Sequence, residues 1–318
     1  MPDDLDLVER LLARYRATFR EEHYSGGQWR EIFERLQRSL HEVFMRGSVE
    51  EAAAILRDPA SNFVMYGYEN CYSNGPQSVT KDIGLLRDLA RSLGAMRAPY
   101  PDAGWRVRIR RLPRVALESL VSAETILSHI DQVCGGRVDF PNPFEREYGI
   151  VTSRGIASAR AFFAVHDAAL LRGKVLEIGA GLGRTAYYAA RFGIRDYTIV
   201  DLPFTAIMQG YFLGRVLPGH TVKLLSPEEF FASSESYDDA LNADSLTELD
   251  VEAARKYVAA IRARAKRFIS INHEANRWTV RHLMGPATLR SPYWLRPGYV
   301  QEVYLLRATA DYGVTSSI

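Results

Sequence analysis

The segment KVLEIGAGLGRT, Lys174 to Thr185, decides the fold. Val175 to Ile178 reads as a short buried strand, Gly179, Gly181 and Gly183 follow as a turn, and a helix pattern opens at Arg184. A glycine-rich turn between strand and helix lets the backbone approach a bound group closely. It suits a nucleoside triphosphate, a dinucleotide or S-adenosylmethionine, and the neighbouring residues choose among them.

A triphosphate loop needs Lys-Ser/Thr after its last glycine, and here Gly183 is followed by Arg184 and Thr185. The run Gly181 to Ala186 matches G-x-G-x-x-A, and Asp201 stands near the spacing of a ribose-binding acid, so the pattern also admits a dinucleotide. S-adenosylmethionine is favoured on three grounds. Glu177 completes E-x-G-x-G-x-G, and Arg184, Tyr187 and Tyr188 are bulky where a pyrophosphate wants a bare helix N-terminus. The third ground is chemical: this cofactor has no phosphate but carries an ammonium and two ribose hydroxyls, which Glu177 and Asp201 can serve.

Outward from this turn, helix and strand alternate. A helix at about 155–171 precedes the first strand, and the strand Tyr197–Val200 ends in Asp201. Pro203 opens a helix to about Leu217. Strands are expected at 221–225, 237–242, 267–272 and Tyr299–Arg307, with a helix at about 250–266; Ser291 to Pro297 carries no assignable pattern. Such alternation implies an α/β fold with a parallel, doubly wound sheet.

The N-terminal part reads as helical. Leu5, Val8, Leu12, Tyr15 and Phe19 share helical spacing, as do Trp29, Ile32, Phe33, Leu36, Leu40 and Val43. Ser48 and Glu51 form a capping-box pattern for a helix that stops before Pro59, Thr80 is a candidate cap, and another helix is expected from Leu117 to Val133. Gly135 to Pro143 is the linker. The division is therefore a helical N-terminal domain, 1–145, for acceptor recognition or assembly, and a cofactor-binding catalytic domain, 146–318.

Composition bounds the partners. The 318 residues are 47% hydrophobic and 25% charged with net charge +2, the profile of a globular chain without a global nucleic-acid or membrane signature. The basic run Arg106 to Arg111 is local and reads as a solvated face or internal ion pairs ahead of a nucleic-acid contact. Cys71 and Cys134 lack metal-ligand spacing, the first residues are acidic, and no apolar run approaches the roughly 20 residues of a membrane helix. The expectation is a cytoplasmic protein with a small-molecule or carbohydrate acceptor, no nucleic acid and no membrane partner; a homo-oligomer is compatible with it.

The segments EIGAGLGRTAYYAARFG, YTIVDLP and NADSLTEL, at these intervals, resemble a family of sugar O-methyltransferases in the class I S-adenosylmethionine-dependent superfamily. The likeness covers about residues 148–275; Ala180 stands where the family often has glycine, and Leu249 where it often has methionine. It implies a Rossmann-like sheet of seven strands with the last reversed, and methyl transfer to a hydroxyl of a sugar, glycosylated natural product or polysaccharide. It also implies that Gly179, Gly181 and Gly183 lie at the methionine part, Asp201 at the ribose, Ser226 near the adenine and Asn242 beside the sulfonium, with Ala180 and Leu202 as further cofactor contacts.

Methyl transfer needs an aligned oxygen nucleophile and a group that takes its proton. Two clusters follow strand ends, where open α/β sheets hold ligands: Asn242 to Glu248, and Asn272-His273-Glu274. Both strands are expected beside the first. His273 has the reference pKa suited to base work at neutral pH. Asp244 or Glu248 could orient it, act as base, or hold a divalent cation such as magnesium; Glu248 could equally stabilise the next helix N-terminus. Tyr148 and Arg154 lie where the methionine end is often wrapped, and Arg154 is either a carboxylate ligand or a surface arginine. Tyr66 and Glu69, in the aromatic, polar loop Asn62–Asn70, are candidate acceptor contacts with Asn272. The rival readings are methylation of a phenol or amine, an NAD-dependent oxidoreductase, and a catalytically dead cofactor-binding partner.

Overall fold

The computed structural model describes residues 4–24, 27–59, 61–62, 64, 76–96, 121–137, 141–144, 151–219 and 222–306, without the side chains of 27–28, 76–82 and 151–156. Its centre is a sheet of β1 (Val175–Ile178), β2 (Tyr197–Val200), β3 (Val222–Leu225), β4 (Tyr237–Ala243), β5 (Ala265–His273), β6 (Leu289–Pro292) and β7 (Tyr299–Leu305). The strand order is β3-β2-β1-β4-β5-β7-β6. Pairings from β3 to β5 are parallel, and β7 runs antiparallel to both β5 and β6. This is the class I arrangement, with the last strand in sequence inserted and reversed.

Parallel strands covered on both faces are near-continuous apolar runs, with Glu177 of β1 and Thr198 of β2 as buried polar exceptions. All four residues of β1 and of β2 are accordingly buried. Alternate residues serve opposite cores: Val175, Leu241 and Ile269 face one, Leu176, Ala240 and Phe268 the other. The chain order of helices is α1 (Leu5–Thr18), α2 (Gly27–Ile32), α3 (Arg38–Arg46), α4 (Val49–Arg57), α5 (Pro76–Ser92), α6 (Ala123–Val133), α7 (Val151–Leu170), α8 (Arg184–Arg191), α9 (Pro203–Val216), α10 (Pro227–Ala232), α11 (Val251–Arg264) and α12 (Val280–Met284). Local chemistry fixes several starts. Pro203 and Pro227 occupy first helical turns, and Ser226 with Glu229 and Ser48 with Glu51 close capping boxes.

The N-terminal helices share the first core with the sheet. Helix α1 docks on α9 because Gly210 and Gly214 leave room for it: a Cβ at Gly210 would lie 2.3 Å from the Leu11 side chain, and one at Gly214 2.9 Å from Leu7. Tyr15 packs edge-on against Phe44 and Phe204, and Asp4 accepts hydrogen bonds from Arg57 and Tyr211.

Several expectations shift. Thr80 does not begin its helix, because α5 starts at Pro76. Helix α6 starts after Ser122, whose hydroxyl accepts from the Thr125 N–H. Between α2 and α3 a wide π turn, Phe33–Gln37, interrupts what the spacing presented as one helix. Strand β6 falls partly in the unassigned Ser291–Pro297 stretch; its residues are half-buried or exposed at the sheet edge, so they carry no core periodicity. Strand β5 pairs with β4 and β7, one strand removed from β1, correcting the expectation that both cluster-bearing strands border the first.

Candidate active site

A cavity of about 380 Å³ opens at the C-terminal ends of β1, β4 and β5. The glycine turn forms its floor, α7 one wall, and the β6–β7 turn, carrying Tyr293 and Arg296, another. Leu85 of α5 also borders it.

The turn takes this shape for steric reasons. Gly179, Gly181 and Gly183 have φ of 73°, 55° and 89°, a region that disfavours other residues. At Gly179 a Cβ would lie 2.2 Å from the Ser245 hydroxyl, which packs the β4 loop onto the turn. Asp244 is the sole non-glycine residue at positive φ among the described residues, so Ala180 has ordinary backbone geometry and its departure from glycine carries no strain. Asp201 braces the turn from behind: it accepts from the Ala180 N–H at 3.1 Å, the Leu202 N–H at 2.8 Å and Gln209 Nε2 at 2.7 Å. Gln209 also donates to the Gly181 carbonyl at 2.8 Å. Desolvation of the Asp201 carboxylate pushes its pKa up to about 6, against the lowering effect of those bonds.

Asp201 does not border the large cavity. It shares with Ser226 a separate void of about 10 Å³, closed by Leu11, Arg14, Tyr15 and Thr18 of α1. Ser226 itself caps α10, its hydroxyl accepting from the Glu229 N–H. The ribose and adenine candidates are thus gathered on one side, behind α1, and the glycine turn faces the other.

Inside the cavity lie two buried carboxylates. Glu177, 2% exposed, accepts from the Tyr197 hydroxyl at 2.8 Å and is also hydrogen-bonded by Thr185. Asp167 of α7, 3% exposed, accepts on Oδ1 from the Tyr293 hydroxyl at 2.9 Å, with His166 Nδ1 3.0 Å away. Burial, then the negative field of Asp167, pushes Glu177 up to about 8; burial likewise raises Asp167.

Asp244, also in the cavity lining, receives the Tyr299 hydroxyl at 2.7 Å and Arg296 Nη1 at 2.8 Å, both on Oδ2. The Arg296 guanidinium lies 3.8 Å from the Tyr299 ring centre, a cation–π contact that holds it over the ring. Oδ1 of Asp244 has no partner among the described residues. Burial raises the Tyr299 pKa, with the Asp244 charge adding to it. Tyr299 is therefore a donor to the carboxylate.

The other sequence candidates are distributed differently. Asn242 is fully buried with its amide donating to the Ile178 carbonyl and the Ser245 hydroxyl, and accepting from Asn272 Nδ2 at 2.9 Å. Asn272 also donates to Ser270 and accepts from Thr247. The two asparagines tie β1, β4 and β5 together from the face opposite the cavity. Glu248 is exposed in a short 3-10 turn, Leu246–Glu248. His273 lies beyond Ile271 on β5, stacked edge-on against Tyr299 at 5.0 Å, its Nδ1 accepting from the Ala275 N–H; it does not line the cavity. Tyr66, Glu69 and Tyr148, and the Arg154 side chain, lie outside the described residues; Arg160, further along α7, borders the cavity. Among the described residues no group of three or more His, Cys, Asp or Glu side chains is placed to hold a metal ion. At Asp244 a guanidinium takes one oxygen, and Glu248, the other candidate ligand, does not line the cavity.

Asp167, Tyr293, Arg296 and Tyr299 escaped the sequence reading. Asp167 looks like one polar residue in a helix, although an acid among Phe163, Ala164 and Ala168 was a signal of a buried charge. The other three depend on the reversal of β7, which brings the β6–β7 turn over the β4 loop. Among the described residues no helix is long and apolar enough to cross a membrane.

No family model matches the chain, and no curated protein matches it. Solved structures similar to it include S-adenosylmethionine-dependent methyltransferases. One is magnesium protoporphyrin IX methyltransferase from Synechocystis PCC 6803 with bound S-adenosylmethionine, 15% identical, covering 71% of this chain and 97% of that one with a TM-score of 0.38. A glycopeptide N-methyltransferase complexed with sinefungin is 15% identical over 46% of this chain and 87% of that one, TM-score 0.34. A protein from Pyrococcus horikoshii OT3 is 14% identical over 47% and 92%, TM-score 0.41. These likenesses are loose; the class I fold of this chain stands on its own strand order.

Proposed function

We propose that the chain is an S-adenosylmethionine-dependent O-methyltransferase whose acceptor is a hydroxyl of a sugar or glycosylated small molecule. One observation carries the reading: the E-x-G-x-G-x-G turn opens onto a cavity lined both by the buried carboxylates Asp167 and Glu177 and by the Asp244 carboxylate. The buried pair suits an ammonium. Asp244 suits a hydroxyl that must lose its proton. The bound cofactor supplies a methyl group already activated on its sulfonium.

The chain's own residues do the rest. Asp244 Oδ1 accepts the hydroxyl proton while Arg296 and Tyr299 fix the other oxygen, so the carboxylate presents one lone-pair direction to the acceptor. Phe163, Ala243 and Ile271 also line the cavity and exclude water. Leu85 supports a role for the N-terminal helices in acceptor recognition, since it brings that region to the cavity wall. The sugar assignment is supported by the sequence resemblance over NADSLTEL.

The test is transfer of a labelled methyl group from S-adenosylmethionine to a panel of sugars, glycosides, phenols and amines, with NAD binding measured in parallel. Incorporation into a sugar hydroxyl supports the reading. Incorporation confined to amines, or NAD binding without S-adenosylhomocysteine binding, sinks it.

A further inference from the structure

Buried carboxylates without a cation are costly, because desolvation disfavours the charged form and like charges add to the penalty. Asp167 and Glu177 face the same cavity in this state. Their hydrogen bonds come from Tyr293 and His166 for Asp167, and from Tyr197 and Thr185 for Glu177. No arginine or lysine bonds to either among the described residues. Oδ2 of Asp167 has no partner there.

The surrounding charges are arranged around this pair and do not neutralise it by contact. Asp201, behind the glycine turn, adds negative field to Glu177. Arg160 of α7, Arg184 of α8 and Arg296 of the β6–β7 turn border the cavity, as does Asp244, bonded to Arg296. The titratable groups in contact are His166 and Tyr293 at Asp167 and Tyr197 at Glu177.

We propose that Asp167 and Glu177, which line the same cavity, form a two-carboxylate seat for the ligand's primary ammonium, and that Glu177 gives up a proton when the ammonium enters. This rests on the cofactor reading above and extends it to Asp167, a residue of the helix before the sheet. Burial, with the negative field of Asp167, holds Glu177 near 8 and so favours its neutral form near neutral pH. An entering ammonium favours both charges, and the proton leaves to solvent. The Tyr293 bond to Asp167 also links the seat to the turn that carries Arg296, and through it to Asp244.

The experiment is calorimetry of S-adenosylhomocysteine and of methylthioadenosine, which lacks the amino-acid end, on the full chain near pH 7 in buffers of different ionisation enthalpy. Proton release with S-adenosylhomocysteine and none with methylthioadenosine is expected. D167N should weaken S-adenosylhomocysteine roughly 10- to 100-fold, the loss of one charge-assisted contact, and leave methylthioadenosine within about twofold. Equal weakening of both ligands, or unchanged binding of S-adenosylhomocysteine by folded D167N, overturns the seat and leaves the cofactor reading standing. If wild-type chain binds neither ligand, the cofactor reading falls and the seat with it. Should D167N not fold, the wild-type proton count decides alone, and a count near zero overturns the proposal.

Discussion

The Tyr299 hydroxyl, on the reversed strand β7, donates to Asp244 Oδ2 at 2.7 Å across the mouth of the cavity. A residue some fifty positions later in sequence thus sets the orientation of the carboxylate that follows β4. That contact locates the proposed proton acceptor. D244N should lower the methyl-transfer step about 10²–10⁴-fold with S-adenosylhomocysteine affinity nearly intact. Y299F removes one hydrogen bond to a charge and should cost about 10- to 100-fold in the same step. Single-turnover kinetics check both; full activity in D244N removes Asp244 from the chemistry.

His273 supplies the comparison. Its ring contacts Tyr299 and its Nδ1 accepts from the backbone, outside the cavity lining. H273A should reduce turnover less than about tenfold, through Tyr299 alone, against the 10²–10⁴ of a lost general base. A larger loss in a folded variant would return the base to His273.

Gly179 and Ser245 meet too closely for any side chain at 179. G179A should fold poorly and lose S-adenosylhomocysteine binding, with a destabilisation of about 2–4 kcal/mol from overlap and positive φ together. The pair G179A/S245G clears the hydroxyl and Cβ contacts. It should recover part of that loss in thermal melts, the remainder being the backbone conformation. No recovery would mean that the turn, and not the Ser245 contact, demands the glycine.

Glu177 gives a pH-dependent stability of unusual sign. Its pKa is raised on folding, from 4.5 to about 8, so between these values the folded state holds more protons than the unfolded one. Stability therefore falls as pH climbs from about 4.5 through 8. Asp201, raised to about 6, adds a smaller loss between 3.8 and 6. E177Q should flatten the first window and be the more stable protein at pH 8 in denaturant titrations. Equal slopes for the two proteins from pH 5 to pH 8 would show that Glu177 is ionised throughout.

Asn242 bonds to Ile178, Ser245, Leu246 and Asn272 with no exposure. N242A should destabilise the fold by about 2–4 kcal/mol, since several buried partners lose their pairing together. Its kinetic constants, measured below the melting range, should stay near wild type. A selective loss of cofactor affinity would restore it to the sulfonium side.

By itself the sequence determined the alternation of strand and helix from Lys174 to His273, the glycine turn with Glu177 and Asp201 flanking it, and the capping box at Ser48. Each of these is local: steric demands at positive φ, apolar runs covered on both faces, and caps a few residues from the groups they satisfy. Tertiary structure decided what those residues face. Asp201 and Ser226 turn toward α1, Asn242 and Asn272 knit strands on the far face, and Asp167 of a separate helix lines the same cavity as Glu177. The cavity's outer wall required β7 to run backwards between β5 and β6, which brings Tyr293, Arg296 and Tyr299 against α7 and the β4 loop. Strand periodicity records which residues alternate and not which way a strand runs or whom it pairs with, because pairing energy comes from backbone hydrogen bonds that every sequence offers.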